Sequence, residues 1–198
     1  MKKRLLIFII CLMSNQVFAK EQPGASIQPD DFFPVVEIQT TAGKITVELD
    51  RLRAPITVNN FLFHVVRDSY SGTIFHRVIK DFVVQGGGYN ENFEERPSQA
   101  TIFNESGNGL KNEMFTIAMA REDEPHSAMR QFYFNMADNV GLDPGKSWGY
   151  AVFGVVTKGE EVLELISRTQ THTDPTFNWK DVPVKPILVI KATLLKEK

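Results

Sequence analysis

The segment FHRVIKDFVVQGGG, residues 75–88, combines two features that an ordinary core strand avoids. Arg77 stands inside an apolar run that is typical of a β-strand, where a charged side chain is rarely buried without a partner. Three consecutive glycines at 86–88 end the run, although glycine in regular structure costs backbone entropy. We interpret both features as parts of a surface that receives a ligand, with the glycines allowing close approach at its rim.

The rest of the chain indicates one β-rich globular domain. Its 198 residues are enough for a sizeable core, and a hydrophobic fraction of 42% with a charged fraction of 23% is ordinary for such a domain. The 15 phenylalanines favour a β-rich core with aromatic walls.

The first residues predict an export signal. Lys2, Lys3 and Arg4 form a positive region, residues 5–13 form a short apolar region, and a small residue, Ala19, ends the pattern, so we expect cleavage after Ala19. About nine apolar residues are too few for a bilayer span, which needs roughly 20. The sequence therefore predicts an exported protein, periplasmic or alternatively secreted, without stable membrane insertion.

Removal of residues 1–19 changes the charge and the thiol content. It takes three of the 22 basic residues and none of the 24 acidic ones, which leaves 19 against 24 and a net charge of −5. That charge argues against a nucleic-acid partner. Cys11, the only cysteine, leaves with the signal, so the mature chain has neither a disulfide nor a cysteine nucleophile.

The pattern from residue 20 onward predicts a flexible leader followed by a closed barrel. Residues 20–34 contain three prolines and read as the leader, and residues 35–198 as the domain. Alternation predicts a first hairpin, and Pro55 opens a helix whose buried stripe is Val58, Phe61, Leu62, Val65 and Val66. A second short helix follows Gly159.

The predicted strands are 35–39, 44–49, 73–79, 82–85, 114–118, 131–135, 150–156 and 187–194. We expect a mostly β fold, a closed eight-stranded antiparallel barrel capped by two α-helices, with irregular loops at 86–112 and 121–130.

Several segments together resemble the cyclophilins, the family of peptidyl-prolyl cis-trans isomerases. They are FHRVIKDFVVQGGG (75–88), FTIAMA (115–120), QFYFNMAD (131–138) and GYAVFGVV (149–156), supported by PITVNNF (55–61) and FNESGNGL (103–110). The resemblance covers residues 35–195, and it is strongest to the exported bacterial branch. It implies an enzyme that accelerates rotation about X–Pro bonds in proline-containing peptides and unfolded exported proteins. This chemistry requires no metal or organic cofactor, and we expect a monomer because the sequence has no heptad pattern or obvious apolar patch.

The resemblance also implies roles for individual residues. Arg77 is the catalytic residue: it would donate to the prolyl nitrogen, which becomes an acceptor when the amide twists. Gln85 and Gln131 would hold Arg77 and the substrate backbone, and the backbone of Ala120 and Arg121 would pair with the residue before proline. The proline ring would lie in a pocket whose walls are Phe82, Val83, Tyr133 and Leu142, and Tyr150 would line the groove.

Alternation supports part of this assignment independently of the family. Gln131 and Tyr133 share one face of their strand, while Phe132 and Phe134 point into the core. The same rule places His76 on the face opposite Arg77, so we give His76 no catalytic role. The four histidines are too scattered for a metal site.

Less specific interpretations remain open for several residues. Arg77 could form a structural ion pair, and Phe82 and Val83 could belong to the core. Tyr133 stands where a phenylalanine is usual in the family, and Gly141 stands where many eukaryotic members have a tryptophan. These two differences leave open an alternative function, a proline-peptide-binding or chaperone module with little catalysis. We further hypothesise that Arg121 and Arg130 form an exposed pair that favours acidic substrates.

Overall fold

The computed structural model describes residues 22–196. The predicted signal peptide and its cleavage site lie outside the described residues. None of the helices within 22–196 is long and apolar enough to cross a membrane.

Eight strands form one antiparallel sheet that curls into a barrel. The prediction of this barrel with two helices is confirmed. The backbone N–H of Phe75 donates to the carbonyl of Ile187, and an isolated bridge joins Ile74 to Leu188, so the two edge strands nearly close the sheet. The strands in spatial order are β10 (Val189–Leu194), β1 (Val35–Thr40), β2 (Gly43–Leu49), β7 (Val152–Lys158), β5 (Thr116–Met119), β6 (Phe132–Asn135), β4 (Val83–Asn90) and β3 (Thr73–Ile79).

Two helices pack against this barrel, α1 (Pro55–Val66) and α2 (Glu160–Ser167). Proline occupies the start of α1, and the Glu105 carboxylate accepts hydrogen bonds from the backbone N–H of Ile56 (3.1 Å) and of Thr57 (2.8 Å). A negative group at this end satisfies N–H groups that have no partner within the helix. The predicted stripe of α1 is buried except for Val66, the last residue of the helix, which is 51% exposed.

Aromatic rings fill the barrel interior. Phe61 from α1 meets Phe132 edge to face at a centroid distance of 5.5 Å, and Tyr70 meets the same ring at 5.3 Å. Phe134 and Phe153 are also fully buried. The predicted aromatic core and the inward direction of Phe132 and Phe134 are confirmed.

The three glycines of the opening segment mostly serve the core rather than the rim of a groove. They lie inside β4, which continues to Asn90, so the prediction of irregular structure from residue 86 is wrong. A Cβ on Gly86 would lie 2.7 Å from the Phe75 ring, and a Cβ on Gly87, whose φ is +85°, would lie 2.8 Å from the Phe132 ring. Only Gly88 lines the cleft described below.

A two-stranded ribbon was not expected from the sequence. It pairs β8 (Thr171–His172) with β9 (Val182–Pro183) and holds the loop 173–181 beside β3, where the N–H of Val78 donates to the carbonyl of Asp181 (2.8 Å). Two residues per strand are too few to show alternation, so the pattern rule could not find them.

The structure differs from the expectation of a flexible leader over its described part, residues 22–34. The buried guanidinium of Arg51 donates to the carbonyls of Ile27 (2.8 Å), Asp31 (2.8 Å) and Gln28. Gly24 packs so closely on α1 that a Cβ there would lie 2.1 Å from the carbonyl oxygen of Asn59. Pro and Gly in this segment therefore shape a packed turn rather than a linker.

Candidate active site

A β-bulge in β3 directs Arg77 to the outside of the barrel. Phe75 pairs with Gly86 and Arg77 pairs with Gln85, so two steps along β3 match one step along β4. Phe75 therefore belongs to the core, while Arg77 lies beside Gln85. The prediction that His76 faces away from Arg77 is wrong, since the bulge breaks strict alternation and both residues line one cleft.

The strand register places five side chains in one row across neighbouring strands. Each is paired with the next: Arg77 with Gln85, Gln85 with Tyr133, Tyr133 with Ala118, and Ala118 with Val152. Adjacent strands lie about 4.8 Å apart, so the row leads from a cation to an apolar surface within about 10 Å.

Neutral amides hold Arg77 at one end of this row. Its Nη1 donates to Oε1 of Gln85 (3.3 Å), and Nε2 of Gln85 donates to Oε1 of Gln131 (3.1 Å). Within residues 22–196 the guanidinium of Arg77 forms no ion pair with a carboxylate, which argues against the structural ion pair considered above. The cleft in front of these side chains has a volume of about 690 Å³.

The other end of the row is an apolar cluster that is separate from the barrel core. Its buried members are Val83, Ala118, Tyr133 and Val152, and five half-buried residues pack against them, namely Phe82, Leu110, Ala120, Leu142 and Tyr150. All the residues predicted as pocket walls lie in this cluster, so Phe82 and Val83 do not belong to the main core. The sequence did not predict Ala118 and Val152 as site residues. Ala118 lies two residues before Ala120 and Val152 lies two residues after Tyr150, a spacing that puts side chains of an extended chain on the same face.

A polar network fixes the Tyr133 hydroxyl beneath the pocket. The hydroxyl donates to Oδ1 of Asn112 (2.8 Å), and Nδ2 of Asn112 donates to Oδ1 of Asp143 (3.1 Å), the residue after Leu142. Burial, followed by the neighbouring Tyr150 and Asp143, raises the pKa of Tyr133 well above its ordinary value of 10. The phenol therefore stays neutral and keeps its hydrogen bond at any physiological pH.

Arg121 supports the rim of the pocket. Its guanidinium lies 4.5 Å from the centroid of the Tyr150 ring and donates to the carbonyls of Trp148 (2.8 Å) and Gly149 (3.1 Å). At Ala120, which also lines the cleft, the backbone N–H already donates to the carbonyl of Gln131 (2.9 Å). The Arg121 side chain thus has a structural role that the sequence did not reveal.

Arg130 is buried rather than exposed, so the hypothesis of an exposed Arg121 and Arg130 pair is wrong. Its side chain donates to the carbonyls of Gly87 (2.8 Å), Pro97 (2.7 Å) and Ser69, and the residue is 2% exposed. These acceptors lie 33 to 61 residues away in the chain, and no local residue pattern predicts contacts over such separations.

A group of aromatic residues at the far end of the cleft was also missed. Tyr89 and Trp179 line the cleft together with His76. Burial, followed by the charge of Arg77, lowers the pKa of His76 from 6.5 to about 4. Among residues 22–196 no cluster of His, Cys, Asp or Glu could hold a metal ion.

Comparisons with known proteins agree on one family. Residues 35–194 match the family model described as cyclophilin type peptidyl-prolyl cis-trans isomerase/CLD. The chain is 45% identical over 164 residues to peptidyl-prolyl cis-trans isomerase cyp18 of Streptomyces antibioticus, covering 81% of this chain and 98% of that protein. It is 40% identical over 198 residues to peptidyl-prolyl cis-trans isomerase A of Dickeya dadantii, covering all of both chains.

A solved structure shares the fold. The cyclophilin type peptidyl-prolyl cis-trans isomerase of Cryptosporidium parvum superposes with a TM-score of 0.69 at 23% identity, covering 84% of this chain and all of the other. A second structure of that protein, determined in the presence of the dipeptide Ala-Pro, gives a TM-score of 0.67 at 23% identity, covering 82% of this chain and 99% of the other.

Proposed function

This chain belongs to the cyclophilin-type peptidyl-prolyl cis-trans isomerases, and we propose that it accelerates X–Pro rotation by binding the twisted amide beside Arg77. The row from Arg77 through Gln85 to Tyr133, Ala118 and Val152 is the observation that carries the mechanism. It offers a cation on a long side chain and an apolar surface on neighbouring strands, which could contact the amide and the proline ring of one X–Pro unit.

The chemistry of the reaction sets what the site must supply. Rotation about the X–Pro bond is slow because resonance gives the C–N bond partial double-bond character, with a barrier of roughly 18–20 kcal/mol. Neither a covalent bond nor a proton transfer is needed, since a site that binds the twisted amide better than both planar forms lowers the barrier. Loss of resonance leaves a lone pair on the prolyl nitrogen, which then accepts a hydrogen bond.

Arg77 is suited to be that donor. Its partner Gln85, which is held in turn by Gln131, is neutral, so it restrains the guanidinium without cancelling the charge. An arginine stays protonated at any working pH and presents several donors in a planar fork. The hydrogen bond from Arg77 to the prolyl nitrogen becomes strong only as the amide twists. It therefore stabilises the transition state more than the planar forms, and this difference lowers the barrier.

The apolar cluster is suited to hold the proline ring. Tyr133 and Val83 provide its floor, with Phe82 and Leu142 packed beside them, and Ala120 belongs both to this cluster and to the lining of the cleft. The two regions are therefore continuous. The pocket would hold the proline ring, and the Gln131 side of the cleft would hold the peptide strand. The X–Pro bond between them could then rotate while both of its ends stay bound.

The mechanism is tested by changing the donor while leaving the pocket intact. We expect Arg77→Gln to lower kcat/KM by about 100-fold or more, as for loss of a donor that stabilises a transition state, and Arg77→Lys to retain a small part of the rate. NMR line shapes of an Ala-Pro peptide give exchange and affinity together. Affinity within a few-fold of the wild type with lost exchange supports the mechanism; undiminished exchange in Arg77→Gln overturns it.

We propose further that the substrates are proline-containing segments of unfolded exported proteins in the periplasm, on which the enzyme acts as a monomer. The basic and apolar pattern of residues 2–13 and the small residue Ala19 support export, and the absence of cysteine after residue 19 suits an oxidising compartment. Fractionation of a Gram-negative host, with intact-mass analysis, tests this proposal. A periplasmic chain that begins at Lys20 is expected; a chain that retains residues 1–19 in the cytoplasm contradicts it, and recovery from the medium indicates secretion.

A further inference from the structure

The cleft continues beyond Arg77 into a region for which the mechanism has no use. There it is lined by His76, by Tyr89 near the end of β4, and by residues 178–181 of the loop that the β8–β9 ribbon holds in place. This region lies in the same cavity as Gln85 and Gln131, so a peptide bound beside Arg77 has a continuous path into it.

The wall of this region is a set of mutually supported rings. Tyr89 and Trp179 meet at a centroid distance of 4.7 Å, and His76 meets Tyr89 at 4.9 Å and Trp179 at 6.2 Å. Behind Trp179 stand Phe177 at 5.5 Å and Phe93 at 5.7 Å, neither of which lines the cleft. Phe177 and Phe93 thus pack against Trp179, which is half-buried and lines the cleft.

The charge of this wall favours an uncharged ligand. His76 is neutral at neutral pH, because burial and Arg77 lower its pKa to about 4. Among the charged residues that line the cleft beside these rings, Lys180 and Asp181 are adjacent and of opposite sign. Glu95, which forms an isolated β-bridge with Tyr89, is opposite in charge to Arg77, so these four side chains carry no net charge. Aromatic faces in such a setting gain most from another ring or a large apolar side chain.

We propose that Trp179, Tyr89 and His76 form a second subsite, which binds an aromatic or large apolar side chain of the substrate close to its X–Pro bond. This inference rests on the proposed placement of that bond beside Arg77. His76 directly precedes Arg77 in the chain, and consecutive Cα atoms are about 3.8 Å apart. An extended peptide advances roughly 3.3–3.6 Å per residue, so the side chain one to three residues from the proline reaches the rings.

The test uses a peptide series in which one position, within three residues on either side of Ala-Pro, carries Phe, Ala or Lys. We expect Phe at one position to raise kcat/KM about 3- to 10-fold over Ala, the range of a ring–ring contact. Trp179→Ala should bring this ratio to about one. Phe32→Ala removes an exposed ring outside the cleft, and should keep the ratio.

Fluorescence gives an independent readout, because the chain has only two tryptophans, Trp148 and Trp179. In a Trp148→Phe background the Phe-containing peptide should shift the emission of Trp179 as it binds. In a Trp179→Phe background the emission of Trp148 should stay constant.

Three results would overturn the subsite: an unchanged Phe/Ala ratio in Trp179→Ala, a preference for Lys over Phe at every position, or a response confined to Trp148. The all-Ala peptide separates this inference from the mechanism. If the wild type accelerates its exchange but no position discriminates, the subsite fails and the proposed function stands. If the wild type leaves its exchange unchanged, the proposed function fails, and the fluorescence titration still decides the subsite.

Discussion

Two arginines of this protein have opposite roles, and their partners decide which. Arg130 is buried, and its guanidinium donates to three backbone carbonyls and so links three segments of the chain. Arg77 is half-buried and meets the side-chain amide of Gln85 at 3.3 Å, a long and weak contact. The charge of Arg77 therefore remains available to a ligand, while that of Arg130 does not.

At the same scale, the Tyr133 hydroxyl contributes to stability through Asn112. We expect Tyr133→Phe to lower the free energy of unfolding by about 1 kcal/mol, because the Oδ1 of Asn112 would keep only its bond from Asn135 (3.2 Å). Urea denaturation measures the change, and Tyr150→Phe at the pocket rim is the matched control. A Tyr133→Phe variant as stable as the wild type would show that the network contributes nothing.

At the scale of elements, α1 depends on a carboxylate from a distant loop. Glu105→Ala would leave the first N–H groups of α1 and the hydroxyl of Thr57 without their acceptor. We expect a loss of about 1–2 kcal/mol in the free energy of unfolding. The exposed Glu113, changed to Ala, is the control for removing one negative charge. Equal stability of the two variants in urea denaturation would refute this role for Glu105.

Another residue of α1, His64, makes stability depend on pH. Burial, followed by the charges of Arg130 and Arg67, lowers its pKa from 6.5 to about 4. Between these values the unfolded chain binds a proton that the folded chain does not, so the free energy of unfolding falls as the pH falls from 6.5 towards 4. The slope for one such group reaches about 1.4 kcal/mol per pH unit, and above pH 6.5 this contribution is constant.

The measurement is urea denaturation of the wild type and of His64→Gln across that pH range. The variant should show a shallower decline in stability towards low pH, while His172→Gln, which changes an exposed histidine, should follow the wild type. Parallel curves for His64→Gln and the wild type would contradict the assignment.

Alternation supported the site that the resemblance implied at one regular strand, β6. It placed Gln131, which directly precedes β6, on the same face as Tyr133, and it placed Phe132 and Phe134 in the core. Phe132 and Phe134 lie in the core, Tyr133 lies in the separate apolar cluster, and Gln131 lines the cleft. Alternation failed at His76, because a bulge is not visible in the residue pattern. It also failed at Trp179, because that residue lies in a loop whose position is set by the two-residue strands β8 and β9.

At the scale of the whole molecule, the segment before the barrel is part of the folded unit. Its carbonyls at Ile27 and Asp31 accept from Arg51, and Nε2 of Gln28 donates to the carbonyl of Leu195 at the other end of the domain (2.9 Å). Composition alone predicted a linker here, because the polar residues and prolines of a packed turn resemble those of a flexible one. The contacts of the folded chain, above all those of the buried Arg51 guanidinium, distinguish the two cases.

A chain that begins at Val35 should therefore be less stable than residues 20–198. We expect the free energy of unfolding to fall by about 2–3 kcal/mol, because hydrogen bonds from a charged, buried donor stabilise a fold more than neutral ones do. Thermal and urea denaturation measure the change, and removal of residues 20–21 alone is the control. If the shortened chain unfolds at the same urea concentration as the longer one, the segment is a linker after all.

One NMR experiment measures whether Arg77 lowers the barrier to rotation about an X–Pro bond. Exchange between the cis and trans forms of a short Ala-Pro peptide is measured with residues 20–198 of the wild type and of Arg77→Ala. We predict fast exchange with the wild type and, with Arg77→Ala, a loss of at least about 100-fold with intact folding and retained peptide binding. Wild-type exchange rates in folded Arg77→Ala would show that Arg77 does not lower the barrier.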